Sequence, residues 1–184
     1  SAVAIVTIAL SSYLILYGEN IYRFFERPFS KIFPEKTRDP YVSNRDKLKD
    51  HIILIGAEQM GWDILKFLKS KEKDLEQILV IDFNPTIIKT LKASGFNTVF
   101  GDITDPELLE ELELSRAKLI VITDVDINDC ANFIKFAKSK DYKGPVVAST
   151  YWLHDAIKLY EIGADYVVVP ETVGGKHIAK LLSE

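Results

Sequence analysis

Cysteine and histidine are scarce: of 184 residues, one is cysteine (Cys130) and three are histidine (His51, His154 and His177). A single thiol excludes a disulfide framework, and histidines this far apart leave no metal-ligand spacing. Cys130 lies in an apolar helical pattern and reads as a small core residue. Basic charge is also short, since 23 Lys and Arg face 27 Asp and Glu, giving a formal net charge of −4 and a pI near 5.5. Lys and Arg do not interleave with aromatics in runs, so nucleic acid is not an expected partner. No Ser-His-Asp arrangement and no nucleophilic-cysteine motif is visible.

The most telling absence is local. Hydrophobic residues are 47% of the chain and charged residues 27%, ordinary for a globular protein, yet residues 1–18 carry no charge. A length of 184 residues suits one domain plus an appendage. From Ala2 to Tyr17 the run is hydrophobic all round rather than striped, as lipid or a large helical bundle requires. A hydrocarbon core needs about 20 residues, so the run is slightly short to span alone, and its abrupt start at Ser1 suggests the end of a longer membrane helix. It lacks the positive flank and cleavage site of a signal peptide.

Tyr13, Tyr17 and Tyr22 mark the place of an aromatic belt, and Arg23, Arg27 and Lys31 follow at spacings of four. Positive charge there predicts a cytoplasmic end, so the expected location is the cell membrane, with residues from about 19 onward inside. With Tyr22, Phe24, Phe25, Phe29 and Phe33 on its apolar side, the segment 19–33 reads as a juxtamembrane amphipathic helix, bent or broken at Pro28. The lipid bilayer is thus an expected partner of residues 1–33. Residues 34–50 hold Pro34, Pro40 and many charges without apolar periodicity and read as a linker.

From His51 to the end, at 51–184, short β-branched runs alternate with amphipathic helical patterns. Strands are predicted at Ile52–Ile55, Ile78–Ile81, Thr98–Phe100, Leu119–Thr123, Val146–Ala148 and Tyr166–Val169. Helices are predicted near Gly61–Leu68, Pro85–Ala93, Pro106–Leu112, Asn128–Lys138, Leu153–Ile162 and Val173–Leu182. Repeated βα units demand a parallel sheet covered on both faces, and right-handed crossovers make it an α/β, Rossmann-like, doubly wound sheet of about six strands. Thr104 to Glu107 has the form of a capping box, Asn84 that of a helix cap, and Gly163 that of a helix C-terminus.

After the first predicted strand comes Gly56-Ala57-Glu58-Gln59-Met60-Gly61, the G-x-G-x-x-G spacing with Glu58 in place of the central glycine. Gly56 and Gly61 keep the tight turn and the helix-strand packing, whereas Glu58 stands where a pyrophosphate approaches the backbone. Like charges about 4 Å apart repel by roughly 1 kcal/mol in water and about 4 kcal/mol at an effective dielectric of 20. Glu58 therefore either swings away, favours a ligand with fewer phosphates, meets a bridging cation, or marks lost binding.

Asp82, 26 residues past Gly56, opens Asp82-Phe83-Asn84-Pro85 at the end of the second strand. A carboxylate there can accept both ribose hydroxyls, which favours NAD or AMP-like ligands over a 2′-phosphate; its other reading, a cap for the helix starting at Pro85, is weaker because Asn84 already fills that position. Gly101-Asp102-Ile103-Thr104 follows the third strand on the same edge, with Asp102 a candidate for an adenine amino group or for anchoring the turn. Thr123-Asp124-Val125-Asp126-Ile127-Asn128-Asp129 follows the fourth. As a calcium loop it has Asp129 where glycine belongs and Lys135 where glutamate belongs, so its acids read as helix-start residues. The candidate cofactor-binding residues are thus Gly56, Ala57, Glu58, Gln59, Met60, Gly61, Asp82, Phe83, Asn84, Gly101, Asp102, Ile103 and Thr123, with no catalytic and no metal site.

Gly56-x-x-x-x-Gly61, Asp82-x-Asn84, Gly101-Asp102-x-Thr104-Asp105-Pro106, Val121-x-Thr123 and Gly163-Ala164-Asp165-x-Val167-x-x-Pro170 together resemble the RCK domain, also called KTN or TrkA-N. Residues 1–13 and 17–22 resemble the last transmembrane helix of monovalent cation:proton antiporters of the sodium/proton exchanger and glutathione-gated potassium efflux type. The resemblance implies a cytoplasmic, nucleotide-sensing regulatory domain of an antiporter carrying potassium or sodium. It also implies NAD(H), AMP, ADP or ATP at the strand ends, a homodimer through this domain, and the rest of the membrane transporter as partner. No substrate domain follows the sixth helix before Glu184, so an enzyme is not expected. Two alternatives stand beside this reading, an RCK domain of a potassium channel and a soluble scaffold with a vestigial pocket.

Overall fold

The computed structural model describes residues 2–29, 48–71, 74–123 and 126–183, with side chains described for 2–17 within the first segment. The chain divides into two compact units, Ser1–Arg38 and Asp39–Glu184.

In the first unit a helix, α1, runs from Ala2 to Phe29, one residue past Pro28. Its described side chains, Val3, Ile5, Val6, Ile8, Ile15 and Leu16 among them, are all exposed. Among the described residues no helix is long and apolar enough to cross a membrane. The expected end of the amphipathic segment, Phe33, and the linker up to residue 47 lie outside the described residues.

In the second unit six strands form one sheet: β1 (His51–Ile55), β2 (Ile78–Asp82), β3 (Asn97–Phe100), β4 (Ala117–Ile122), β5 (Val146–Ser149) and β6 (Tyr166–Val168). Every pairing is parallel and the order is β3-β2-β1-β4-β5-β6. The helices are α2 (Gln59–Ser70), α3 (Pro85–Ala93), α4 (Pro106–Glu111), α5 (Ile127–Ser139), α6 (Leu153–Ile162) and α7 (Pro170–Leu181). This is the Rossmann-like, doubly wound α/β fold that the alternating pattern predicts.

The two-residue period of a strand sends neighbouring side chains to opposite faces. Ile53 and Ile55 of β1 and Leu79 and Ile81 of β2 join Phe133, Ile134 and Leu159 in the larger core, under α5 and α6. Leu54 of β1 and Ile78 and Val80 of β2 join Leu65 of α2 and Leu91 of α3 in the smaller one. With both faces covered, β2 has no exposed position and reads as a continuous apolar run, Ile-Leu-Val-Ile, closed by Asp82.

Two local expectations are corrected. The cap of α4 is Asp105, whose Oδ1 accepts the Glu107 amide at 2.9 Å, and not Thr104. Pro106 explains the shift, because proline favours the first helical position and so makes its predecessor the cap. The last helix begins at Pro170 rather than Val173 for the same reason, with Val169 as a cap that makes no side-chain bond. Asn84 caps α3 by accepting the Thr86 amide at 3.0 Å, and Gly163 ends α6 with φ +117°, both as expected.

Candidate ligand-binding site

The site begins with a tight corner. Gly56 has φ +81°, and a Cβ on it would lie 2.0 Å from the Thr123 carbonyl oxygen. A Cβ on Gly61 would lie 2.2 Å from the Gly56 carbonyl oxygen. Both distances are below any real contact, so only glycine lets β1 turn into α2 beside the end of β4. Thr123 closes the corner: its amide donates to the Ile55 carbonyl at 2.8 Å, and its hydroxyl sits 2.6 Å from the Gly56 carbonyl and 3.2 Å from that of Ile55. Thr123 is fully buried, and these bonds fix the glycine turn.

Asp82 ties this turn to the next one. Its Oδ2 accepts the Ala57 amide and its Oδ1 the Asn84 amide, each at 2.7 Å. The carboxylate is 4% exposed, and its own strand places it at the cleft wall. A carboxylate offers about four lone-pair sites. Two amides leave about two for ribose hydroxyls, so Asp82 can shape the loop and hold a ligand together.

Glu58 is the residue before α2. The first amide inside the helix to bond back is that of Trp62, to the Glu58 carbonyl at 2.7 Å. The amides of Gln59, Met60 and Gly61 are therefore the orphan donors of the first turn. Glu58 does not satisfy any of them with its side chain.

The strand ends enclose a cleft of about 390 Å³. Gly56 and Glu58 enter it after β1, Asp82 and Phe83 after β2, Gly101, Asp102 and Ile103 after β3, and Asp126 and Asp129 after β4. Ile55 and Ile81 form its apolar wall, and Phe83 is 69% exposed, a free aromatic face at the rim. The cleft lies where chain connections leave in opposite directions from β1 and β4, the place at which open α/β sheets bind ligands.

Seven of the thirteen sequence-predicted residues, namely Gly56, Glu58, Asp82, Phe83, Gly101, Asp102 and Ile103, come together here. Asp102 Oδ1 accepts the Thr104 amide at 2.8 Å, so it anchors its turn as well as facing the cleft. Gln59 and Met60 instead line a second cavity of about 530 Å³, toward Thr150, Tyr151 and Pro170. Ala57 borders a shallower hollow with Glu58 and Trp62. Gly61 and Asn84 act on local structure. Asp126 and Asp129, expected as helix-start acids on the same edge, both line the cleft, and Asp126 also caps α5, accepting the Asn128 amide at 2.8 Å. Their place after the strand next to β1 brings them there.

Among the described residues no group of three or more His, Cys, Asp and Glu side chains is arranged to hold a metal ion. Cys130 is buried, as its apolar helical pattern predicts, and burial pushes its thiol up to about 12. A thiol that high is not a nucleophile at neutral pH.

Sheet order, glycine corner and cleft define a Rossmann-like domain. Residues 52–170 match the TrkA-N domain model, and the chain belongs to that family. It is 25% identical over 126 residues to the putative K(+) efflux antiporter KefB of Alkalimonas amylolytica, a match covering 68% of this chain and 18% of the relative. To the chloroplastic K(+) efflux antiporter 3 of Arabidopsis thaliana it is 27% identical over 128 residues, covering 65% of this chain and 16% of the relative. The chain thus spans less than a fifth of these antiporters' length.

Among solved structures it resembles the TrkA-N domain of the Escherichia coli inner membrane protein ybaL, with TM-score 0.67 at 21% identity, covering 73% of this chain and 98% of that one. The GsuK channel bound to ADP matches with TM-score 0.60 at 22% identity over 90% of this chain and 43% of that one, and GsuK bound to NAD with TM-score 0.58 at 21% identity over 90% and 29%. At these identities the likeness is one of fold.

Proposed function

We propose that this chain is a cytoplasmic, nucleotide-sensing regulatory domain of a monovalent cation:proton antiporter, carrying no catalytic activity of its own. The observation that carries the reading is the cleft at the switch point, with the buried Asp82 carboxylate at its wall, in a domain of the TrkA-N family. The efflux-antiporter relatives support potassium as the transported ion. The NAD-bound and ADP-bound states of the GsuK channel support a nucleotide ligand, with NAD(H), AMP, ADP and ATP as candidates.

Residues 1–18 are then the end of the last membrane helix, 19–33 its juxtamembrane continuation, 34–50 the linker, and residues from about 19 onward cytoplasmic. The rest of the transporter and a second copy of this domain are the proposed partners. Apolar exposure supports the second copy: α7 has no buried residue, and Leu153, Ile157 and Tyr160 face outward along one side of α6.

Ligand acts by linkage, shifting the transporter only as far as its affinity differs between two conformations. Calorimetry and thermal unfolding of this chain with NADH, AMP and ATP test the sensing role. Heat and a rise in midpoint with at least one of them are expected. No heat and no shift with any of them, nor with adenosine, would favour the scaffold reading. A likeness to the GsuK channel over 90% of this chain favours a potassium channel subunit as the second reading. A selectivity filter upstream of Ser1 in the whole protein would decide for it.

A further inference from the structure

The cleft is unusual in its charge. Five carboxylates line it, those of Glu58, Asp82, Asp102, Asp126 and Asp129, and among the described residues no Lys, Arg or His does. The feature that draws phosphates to such clefts is the α2 N-terminus, whose orphan amides are equivalent to roughly half a positive charge. One full negative charge, that of Glu58, stands at the start of the same helix, exposed and bonded to none of those amides. Glu58 thus adds an acidic side chain to the cleft at the start of that helix, beside the other four acids.

The remainder of the cleft suits the uncharged part of a nucleotide. Ile55, Ile81 and Ile103 offer apolar contact, Phe83 a stacking face, and Asp82 spare lone pairs for hydroxyl donors. Asp102 faces the same space and suits an amino group.

We infer that Glu58 is a charge filter, and that the cleft binds an adenine nucleoside in preference to its 5′-phosphorylated forms, affinity falling as phosphate charge rises. This rests on the reading of the cleft as a nucleotide-type site and moves its preferred ligand from the phosphorylated candidates to the adenine nucleoside they share. Like charges about 4 Å apart are worth about a fivefold change in affinity even at the dielectric of water, and more in a cleft. Adenosine is therefore expected to bind at least about fivefold more tightly than AMP, with ADP and NAD weaker than adenosine by no less.

The test is calorimetric titration of the chain, and of the isosteric variant Glu58→Gln, with adenosine, AMP, ADP and NAD in the presence of EDTA. Unfolding midpoints of the two proteins check that the exposed substitution leaves the fold intact. The expected result is the ranking above for the native chain, with the adenosine-to-ADP gap narrowed at least about fivefold in Glu58→Gln. ADP or NAD binding the native chain as tightly as adenosine would overturn the inference and leave the site assignment standing, as would a gap unchanged by the substitution. No binding of any of the four ligands by either protein would overturn the site assignment and the inference together.

Discussion

At the scale of single residues, two buried threonines make opposite contributions. Thr123 spends its hydroxyl on the Gly56 carbonyl at 2.6 Å, and loss of that donor leaves a carbonyl in the glycine corner without it. Thr98, 6% exposed in β3, buries a hydroxyl oxygen that has no partner among the described residues. Net stabilisation by a made hydrogen bond is about 1 kcal/mol, while an unsatisfied buried polar group costs about 1–3 kcal/mol. Thr123→Val is thus expected to destabilise the chain by about 1–2 kcal/mol and Thr98→Val to leave it unchanged or stabilise it. Urea unfolding midpoints of the two variants check this, and a loss with Thr98→Val as large as that with Thr123→Val would contradict it. The glycine pattern made Gly56 and Gly61 legible, because their spacing is that of a turn. Thr123's structural role was not, because nothing in a linear sequence shows a hydroxyl reaching back 67 residues to Gly56.

At the scale of elements, β1 begins on an irregularity. His51 pairs with Ala117 and Ile52 with Leu119, so Lys118 is an extra residue on β4. His51 is 1% exposed, and neither ring nitrogen has a hydrogen-bond partner among the described residues. Burial lowers its pKa first, then the charge of Arg116; Glu113 and Asp50 act the other way and Lys118 adds to the lowering. A histidine held below its ordinary value of about 6.5 binds its proton in the unfolded chain before the folded one. Its contribution to stability is present above about pH 6.5 and is lost as pH falls from there toward the folded value, by up to about 1.4 kcal/mol per pH unit. His51→Phe removes that proton uptake, so its unfolding free energy is expected to fall less between pH 7.5 and 5.5 than that of the native chain. Equal slopes in urea titrations across that range would contradict the assignment.

Element types were the most legible part of the sequence, since β-branched runs and amphipathic helices differ in period. Starts were less so. Three cap-forming residues stand close together at Asp102, Thr104 and Asp105, and only the geometry shows Asp102 bonding the Thr104 amide while Asp105 caps α4. Asp126 and Asp129 were legible as acids on the ligand edge after the fourth strand and as helix-start residues, while strand order, which the sequence does not print, decides that their loop meets the others across β1.

At the scale of the whole molecule, the fold supplies a ligand cleft whose walls come from four strand ends, so a bound molecule touches several loops at once. That is the physical requirement for coupling: occupancy shifts the relative stability of loop arrangements, and a tethered element responds to the difference. Ligand that binds two arrangements equally shifts nothing, however tightly it binds. Regulation is therefore read from transport and not from affinity. The direct measurement of the proposed regulation is cation/proton exchange by the whole protein to which this chain belongs, with and without Asp82→Ala, across a range of adenosine, AMP and NAD concentrations. Exchange that responds to at least one of these ligands in the native protein, and no longer does so in Asp82→Ala, is the expected result. An equal response in both would contradict the proposed site.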